Sequence, residues 1–253
     1  MVREQIQRLY FRRDGNLASA QAACRRLQLL TERGYLARVR LPVAQGSGPY
    51  VYRPSKARPA TMDGEEGLSA LRSSRGRRVE SAAGLYHGLQ VVDFYVALHE
   101  GLESVGGRIL TWLGEGEARY SLASQGKRIL LSPDAYCLWC FGSDEGAFFL
   151  EWDRGTESIT RLAQKLQQYE AYYRLQAYHD HVGEMGLKPR ILIVVPDARR
   201  QQKLTHWLAS RLGKSGFSAL PTILVSNRDK VIAYVMGPIW HTPDSTSCMR
   251  LMD

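Results

Sequence analysis

Three carboxylates in the second half of the chain have the residue types and spacing that phosphoryl-transfer chemistry uses. Asp134 follows Ser132 and Pro133, and Glu151 and Asp153 stand two positions apart at the end of an apolar run. Alternate residues of a strand point to one face, so Glu151 and Asp153 should share a face, which Asp134 joins if its strand pairs with theirs. Three acids this close repel one another unless a divalent cation lies between them, and Mg²⁺ or Mn²⁺ held this way can activate water. The alternative is an acidic strand end that starts the next helix, where acids favour the positive end of the helix dipole.

The basic residues form a second group, and they are concentrated at the start of the chain. Residues 1–58 contain twelve Lys or Arg residues and three acidic residues, so this segment carries the whole formal net charge of +9. Concentrated positive charge is typical of a module that binds phosphates, because neutralising phosphates releases condensed counterions. Duplex DNA is therefore the expected partner, and the alternative is a solvated basic surface without a ligand.

Helical periodicity and turn residues predict which helices and strands carry these basic residues. Ser19 can cap a helix and Gly34 can end it, and the residues after Gly34 alternate as strands do. The predicted elements are a helix over 4–11, a turn at 13–16, a helix over 17–34, a strand over 35–40, a turn-rich segment at 44–49 and a strand over 50–53. The simplest interpretation is two helices followed by a β-hairpin.

This order resembles a winged helix-turn-helix domain. The resemblance is carried by Arg25-Arg26-Leu27, Leu30, Gly34-Tyr35-Leu36 and Arg38, followed by Tyr50-Val51-Tyr52. It implies that the second helix enters the major groove, where Arg reads guanine and Gln reads adenine, and that the hairpin is a wing near phosphates or the minor groove. The residues expected to face DNA are Ser19, Gln21, Ala22, Arg25, Arg26 and Gln28 on the helix, and Arg38, Arg40 and Arg53 on the hairpin. Winged helices also serve as protein-docking modules, which is the alternative.

The rest of the chain predicts a linker over 59–80, an α/β domain over 81–240 and a tail over 241–253. The order of elements predicts an antiparallel start to the sheet, joined by a crossover helix to a parallel strand. The predicted elements are helices over 85–104, 157–183 and 198–212, and strands over 108–113, 127–141, 147–153, 190–196, 221–225 and 231–236. The fold class is therefore α/β, or α+β, with a mixed sheet.

Within that order, Pro133-Asp134 followed by Glu151-x-Asp153 resembles the core of the PD-(D/E)xK nuclease superfamily, which has a restriction-endonuclease-like fold. The resemblance implies that Asp134, Glu151 and Asp153 hold Mg²⁺ or Mn²⁺ and are catalytic. Asp153 stands where the motif has its lysine, and Lys165 on the following helix could reach back to supply the missing cation, with Tyr169 one turn further on the same face. No cofactor other than this metal is expected.

A longer pattern resembles the replication-relaxation family of plasmid and mobile-element proteins. It consists of the N-terminal winged helix, His87 and Asp93 on one helix, Ser132-Pro133-Asp134-Ala135, the run from Phe148 to Ser158, Lys165-Leu166 and Tyr169. The resemblance extends from about residue 3 to residue 196. It implies a DNA-binding protein that acts in replication or relaxation at an origin or transfer site. Two alternatives remain open: a metal-dependent DNA nuclease or nickase that uses Asp134, Glu151, Asp153 and Lys165, and a winged-helix transcriptional repressor.

The amino-acid composition excludes several other classes of protein. With 44% hydrophobic and 23% charged residues, the chain has the balance of a globular protein, and no segment approaches the roughly 18 apolar residues of a membrane helix. We therefore expect a cytoplasmic protein without a membrane partner. The four cysteines are too few and too unevenly placed to predict disulfides. Besides duplex DNA, the candidate partners are a relaxase, another replication or mobile-element protein, and a second copy of the chain.

Overall fold

The computed structural model describes residues 1–13, 16–55, 81–124, 127–156, 158–179, 187–212, 217–245 and 247–253. The chain divides into two compact units, Met1–Val96 and Ala97–Asp253. The predicted linker over 59–80 lies outside the described residues. None of the described helices is long and apolar enough to cross a membrane.

The first unit contains the two helices and the hairpin that the sequence predicts. Ser19 caps the second helix, because its side chain accepts a hydrogen bond from the backbone N–H of Ala22 at 3.2 Å. The helix packs through Ala23 and Leu27, and the hairpin packs through Val51. The elements are α1 (Arg3–Tyr10), β1 (Arg12–Arg13), β2 (Asn16–Leu17), α2 (Ala20–Glu32), β3 (Leu36–Arg40) and β4 (Tyr50–Pro54), with β1 antiparallel to β2 and β3 antiparallel to β4.

A long helix, α3 (Ala82–Ser104), contributes its first part to the first unit. The side-chain amide of Gln5 in α1 donates to the Asp93 carboxylate at 2.7 Å and to the Leu89 carbonyl at 2.9 Å. The Tyr86 hydroxyl donates to the Pro42 carbonyl at 2.5 Å. The sequence places this helix at the start of the second domain, whereas its first part packs with α1 and the segment after β3.

The second unit is built on a seven-stranded mixed sheet, which confirms the α/β class. Its strands are β5 (Arg108–Gly114), β8 (Ala135–Phe141), β9 (Asp144–Trp152), β10 (Arg190–Val195), β11 (Ile223–Asn227), β12 (Trp240–His241) and β13 (Cys248–Met249). They lie in the order β13-β12-β11-β10-β9-β8-β5, and β9, β10 and β11 are parallel while the other neighbours are antiparallel. Helix α4 (Ile159–Arg174) crosses from β9 to β10, and α5 (Ala198–Ala209) crosses from β10 to β11.

The crossover helices α4 and α5 cover the same face of this sheet. One continuous core joins Leu166 of α4 and Leu204 of α5 to Phe149, Ile193 and Val225 of the three parallel strands. The ring of Phe149 lies 5.4–5.6 Å from the rings of four tyrosines, and this aromatic cluster fixes α4 against β9. The tyrosines are Tyr120, Tyr136, Tyr169 and Tyr172.

Two of the predicted strands are wrong. Residues 231–236 fall mainly in a helix, α6 (Arg228–Tyr234), because the Asn227 side chain caps it by accepting from the Lys230 N–H at 3.2 Å. Residues 127–141 form two strands rather than one. Strand β7 (Lys127–Leu131) pairs with an unpredicted strand, β6 (Tyr120–Ser124), in a separate hairpin. Pro133 lies between β7 and β8, and proline has no N–H for a sheet ladder.

Two other boundaries also differ from prediction. The helix predicted over 157–183 ends at Arg174, and Gln176 just beyond it has a left-handed φ of 53°. The predicted tail over 241–253 is part of the fold, because β12 and β13 form one edge of the sheet and Leu251 is buried. Two-residue strands are too short to produce a periodic pattern in the sequence.

Candidate functional site

Glu151 is buried near the end of β9, where two side chains of α4 meet it. The Tyr169 hydroxyl donates to Glu151 Oε1 at 2.6 Å, and the Lys165 ammonium forms an ion pair with Oε2. Burial raises the pKa of Glu151 to about 7, against the opposite effect of Lys165. Burial and the nearby Glu151 carboxylate raise the pKa of Tyr169 well above its usual value, so Tyr169 stays protonated and donates. Lys165 thus lies beside Glu151, as the sequence analysis expects.

Asp134 lies in the segment that leads into β8, next to the end of β9. Its backbone N–H donates to the Leu150 carbonyl at 3.0 Å, and its carboxylate accepts from the backbone N–H of Trp152 at 2.6 Å. The charge of Asp134 also contributes to the raised pKa of Glu151. The pairing of β8 with β9 that the sequence requires is therefore present, and it brings Asp134 close to Glu151.

Asp153 follows the last residue of β9 and has a different set of partners. Its Oδ1 accepts from the backbone N–H of Gly155 at 2.7 Å, and its Oδ2 accepts from Arg200 Nε at 2.8 Å. Arg200 belongs to α5, so Asp153 is neutralised by the second crossover helix as Glu151 is by the first. No local pattern in the sequence links Asp153 to Arg200.

The three acids do not form the shared cation site that the sequence predicts. Among the described residues, there is no group of three or more His, Cys, Asp or Glu side chains that could hold a metal ion. The physical reason is that Lys165 and Arg200 already supply positive charge to Glu151 and Asp153, and that Asp134 accepts a backbone hydrogen bond. The arrangement therefore does not fit a divalent ion bound by all three carboxylates.

The predicted helix residues of the first unit all lie on the exposed side of α2. Arg25 and Arg26 are exposed, whereas Ala23 and Leu27 of the same helix are buried. Ser19, Gln21, Ala22 and Gln28 are also exposed. Two of these have internal contacts, because Ser19 caps the helix and Gln28 Nε2 donates to Glu32 Oε1 at 2.8 Å.

The hairpin arginines are organised by one aromatic ring. The guanidinium carbons of Arg38 and Arg40 each lie 4.3 Å from the centroid of the Tyr50 ring. Arg40 also donates to the Tyr50 hydroxyl at 2.8 Å and to the Gly48 carbonyl at 3.3 Å. Arg53 is exposed on β4, opposite Ala37. The sequence identified the arginines as DNA-facing residues but did not select Tyr50, which the register of the hairpin sets opposite Arg40.

These features define a mixed α/β protein whose first unit presents exposed arginines on a helix and a hairpin, and whose second unit contains a buried, internally neutralised acidic cluster. The family model described as Replication-relaxation matches residues 1–187, so the chain belongs to the replication-relaxation family. This membership indicates a role in the replication or relaxation of plasmids or mobile elements. No curated protein and no solved structure matches the chain.

Proposed function

We propose that this protein binds duplex DNA at an origin or transfer site of a plasmid or mobile element. In this proposal α2 and the β3–β4 hairpin act as a winged helix-turn-helix. The observation that carries it is the exposed pair Arg25 and Arg26 on α2, followed in the chain by Arg38 and Arg40 stacked on Tyr50. Family membership supports the biological setting.

The two elements would have different roles on the DNA. Helix α2 enters the major groove, where Arg25 and Arg26 read guanine edges by paired hydrogen bonds and Gln21 reads adenine. Gln28 can contribute after it releases Glu32. The hairpin contacts phosphates, because two guanidinium groups held on one ring form a fixed pair of donors at the edge of the groove.

Replacement of both helix arginines tests this assignment. The variant Arg25→Ala/Arg26→Ala should lose most of the discrimination between a duplex carrying the origin or transfer site and a scrambled duplex, because each bidentate base contact contributes about 1–3 kcal/mol. Fluorescence anisotropy of labelled duplexes at several salt concentrations measures this effect. The matched control is Arg108→Ala/Arg119→Ala, which removes the same charge from exposed positions of the second unit. Retention of full discrimination by Arg25→Ala/Arg26→Ala would refute the proposed recognition helix.

A second candidate function is metal-dependent DNA nicking, and the contact between Lys165 and Glu151 is the observation that favours it. It ranks second because Glu151 and Asp153 would first have to exchange their protein partners for a metal ion. Incubation with supercoiled plasmid and Mg²⁺ or Mn²⁺ separates the two functions. Nicking that Asp134→Asn abolishes establishes the enzyme, and an intact plasmid with both metals leaves DNA binding alone.

A further inference from the structure

The sequence beyond residue 58 has no net charge, but in the folded second unit acidic and basic side chains are unevenly distributed between the interior and the surface. On the face covered by α4 and α5, three acidic side chains are turned inward. The side chains of Glu151, Asp153 and Glu170 are 6, 8 and 7% exposed, and each is paired with a Lys or Arg. Glu170 also accepts from the backbone N–H groups of Ala219 and Leu220, at 2.9 and 3.1 Å. These three negative charges are therefore withdrawn from the outer surface of the helices, where the exposed Asp197 at the N-cap of α5 remains.

The outward sides of α4 and α5 are basic and rich in amides. Glu170 is the one acidic residue of α4, and α5 has none. Exposed residues recur at helical spacing along both helices. They are Arg161, Gln164 and Gln167 on α4, and Arg199, Gln202, Lys203 and His206 on α5. We call the surface formed by these seven residues the α4–α5 face.

The two halves of this face are neighbours in the fold. Helix α4 follows β9 and α5 follows β10, and these strands are adjacent and parallel. Both helices pack into the same core on the same side of the sheet. Arg161 and Arg199 both lie in the first turn of their helices, at the end where the two strands finish.

These basic residues stand where they reduce the stability of their own helices. Arg199 and Lys203 are like charges at i and i+4, which destabilises a helix by a few tenths of a kcal/mol. Arg199 also lies in the first turn of α5, at the positive end of the helix dipole, where the carboxylate of the capping residue Asp197 offsets part of this effect. An anionic ligand on the face would offset the repulsion between Arg199 and Lys203.

We propose that the α4–α5 face is a second DNA-binding surface, which contacts phosphates without reading the base sequence. Arg, Lys and Gln side chains are common donors to phosphate oxygens, and such contacts carry no sequence information. The inference extends the proposed function, since it shares duplex DNA as the ligand, but it rests on different residues and on a different unit of the chain.

The test is the salt dependence of DNA binding by the full chain. The variant Arg161→Gln/Arg199→Gln/Lys203→Gln removes three charges from the face. The control Arg108→Gln/Arg119→Gln/Arg250→Gln removes three charges from other exposed positions of the second unit. The slope of log K against log salt changes by about 0.9 for each phosphate that the protein no longer neutralises, so the face variant should reduce it by about two to three. The reduction should be equal on specific and scrambled duplexes, and the control should change the slope by less than one.

A slope for the face variant equal to that of its control overturns the inference. The Arg25→Ala/Arg26→Ala variant separates this failure from failure of the proposed function. If that variant keeps its discrimination while the face variant has a reduced slope, the recognition helix is refuted and the α4–α5 face stands. Thermal unfolding of each variant, followed by circular dichroism, establishes that the compared proteins are folded.

Discussion

Lys165 on α4 forms an ion pair with Glu151 on β9, and the carboxylate of this pair is buried while the lysine side chain is 27% exposed. The pair joins the crossover helix to the strand that precedes it. Lys165 therefore neutralises the buried Glu151 carboxylate, and its contribution can be measured as a change in the free energy of unfolding.

Replacing the lysine should destabilise the fold more than replacing both partners. Lys165→Met leaves the Glu151 carboxylate buried without its cation, and we expect a loss of about 2 kcal/mol at pH 8, below the 3–5 kcal/mol typical of a fully buried pair because Lys165 is partly solvated. Urea denaturation measures the free energy of unfolding. The double variant Glu151→Gln/Lys165→Met should recover most of the loss, since neither of these two positions then carries a charge. Equal losses in both variants would mean that the ion pair does not stabilise this site.

Stability should also depend on pH through Glu151. Its pKa in the folded protein is about 7, above the usual 4.5, so the folded state holds the proton more tightly than the unfolded state does. This contribution is fully present below about pH 4.5 and is lost as the pH rises through about 7. The free energy of unfolding of the wild type should therefore fall across this range relative to that of Glu151→Gln. Parallel pH profiles for the two proteins would exclude a raised pKa at Glu151.

The local elements of this protein could be predicted from its sequence, because short-range patterns determine them. The β3–β4 hairpin follows from alternation on both sides of a turn-rich segment, and the start of α2 follows from Ser19. The strand predicted over 231–236 is wrong because two local signals compete there. The apolar residues suggest a strand, whereas Asn227 and Asp229 provide the start of a helix. A capping residue decides the outcome there.

The long-range contacts of the candidate site could be predicted only in part. Lys165 is expected near Glu151 because it lies on the helix that follows the strand, on the same face as Tyr169. The pairing of Asp153 with Arg200 depends on a second crossover helix and on the parallel register of β9 and β10. No spacing in the sequence indicates that Arg200 lies beside Asp153. From the sequence alone the acids therefore have no visible positive partner other than Lys165, which is why a shared metal ion is predicted.

Tyr50 should matter for DNA binding because it positions two arginines. Removing the ring in Tyr50→Leu frees Arg38 and Arg40, and a cation–π contact at an exposed site contributes about 0.5–1 kcal/mol. A total near 1 kcal/mol corresponds to about fivefold weaker binding to duplex DNA. The control Tyr50→Phe keeps the ring and should bind within about twofold of the wild type. Equal binding by the Leu and Phe variants would show that the ring does not position the arginines.

Gln5 should be essential for the stability of the first unit, because it joins α1 to the first part of α3. Its side chain is buried, accepts from the Val2 N–H at 2.9 Å and donates to Asp93 and Leu89. Gln5→Ala leaves these buried groups without their partner, and we expect a loss of about 2–3 kcal/mol in the free energy of unfolding. Gln5→Glu should be at least as damaging, since it sets a second carboxylate beside Asp93. The exposed control Gln21→Ala should unfold like the wild type. If Gln5→Ala also unfolds like the wild type, the first part of α3 is not held to α1 by this residue.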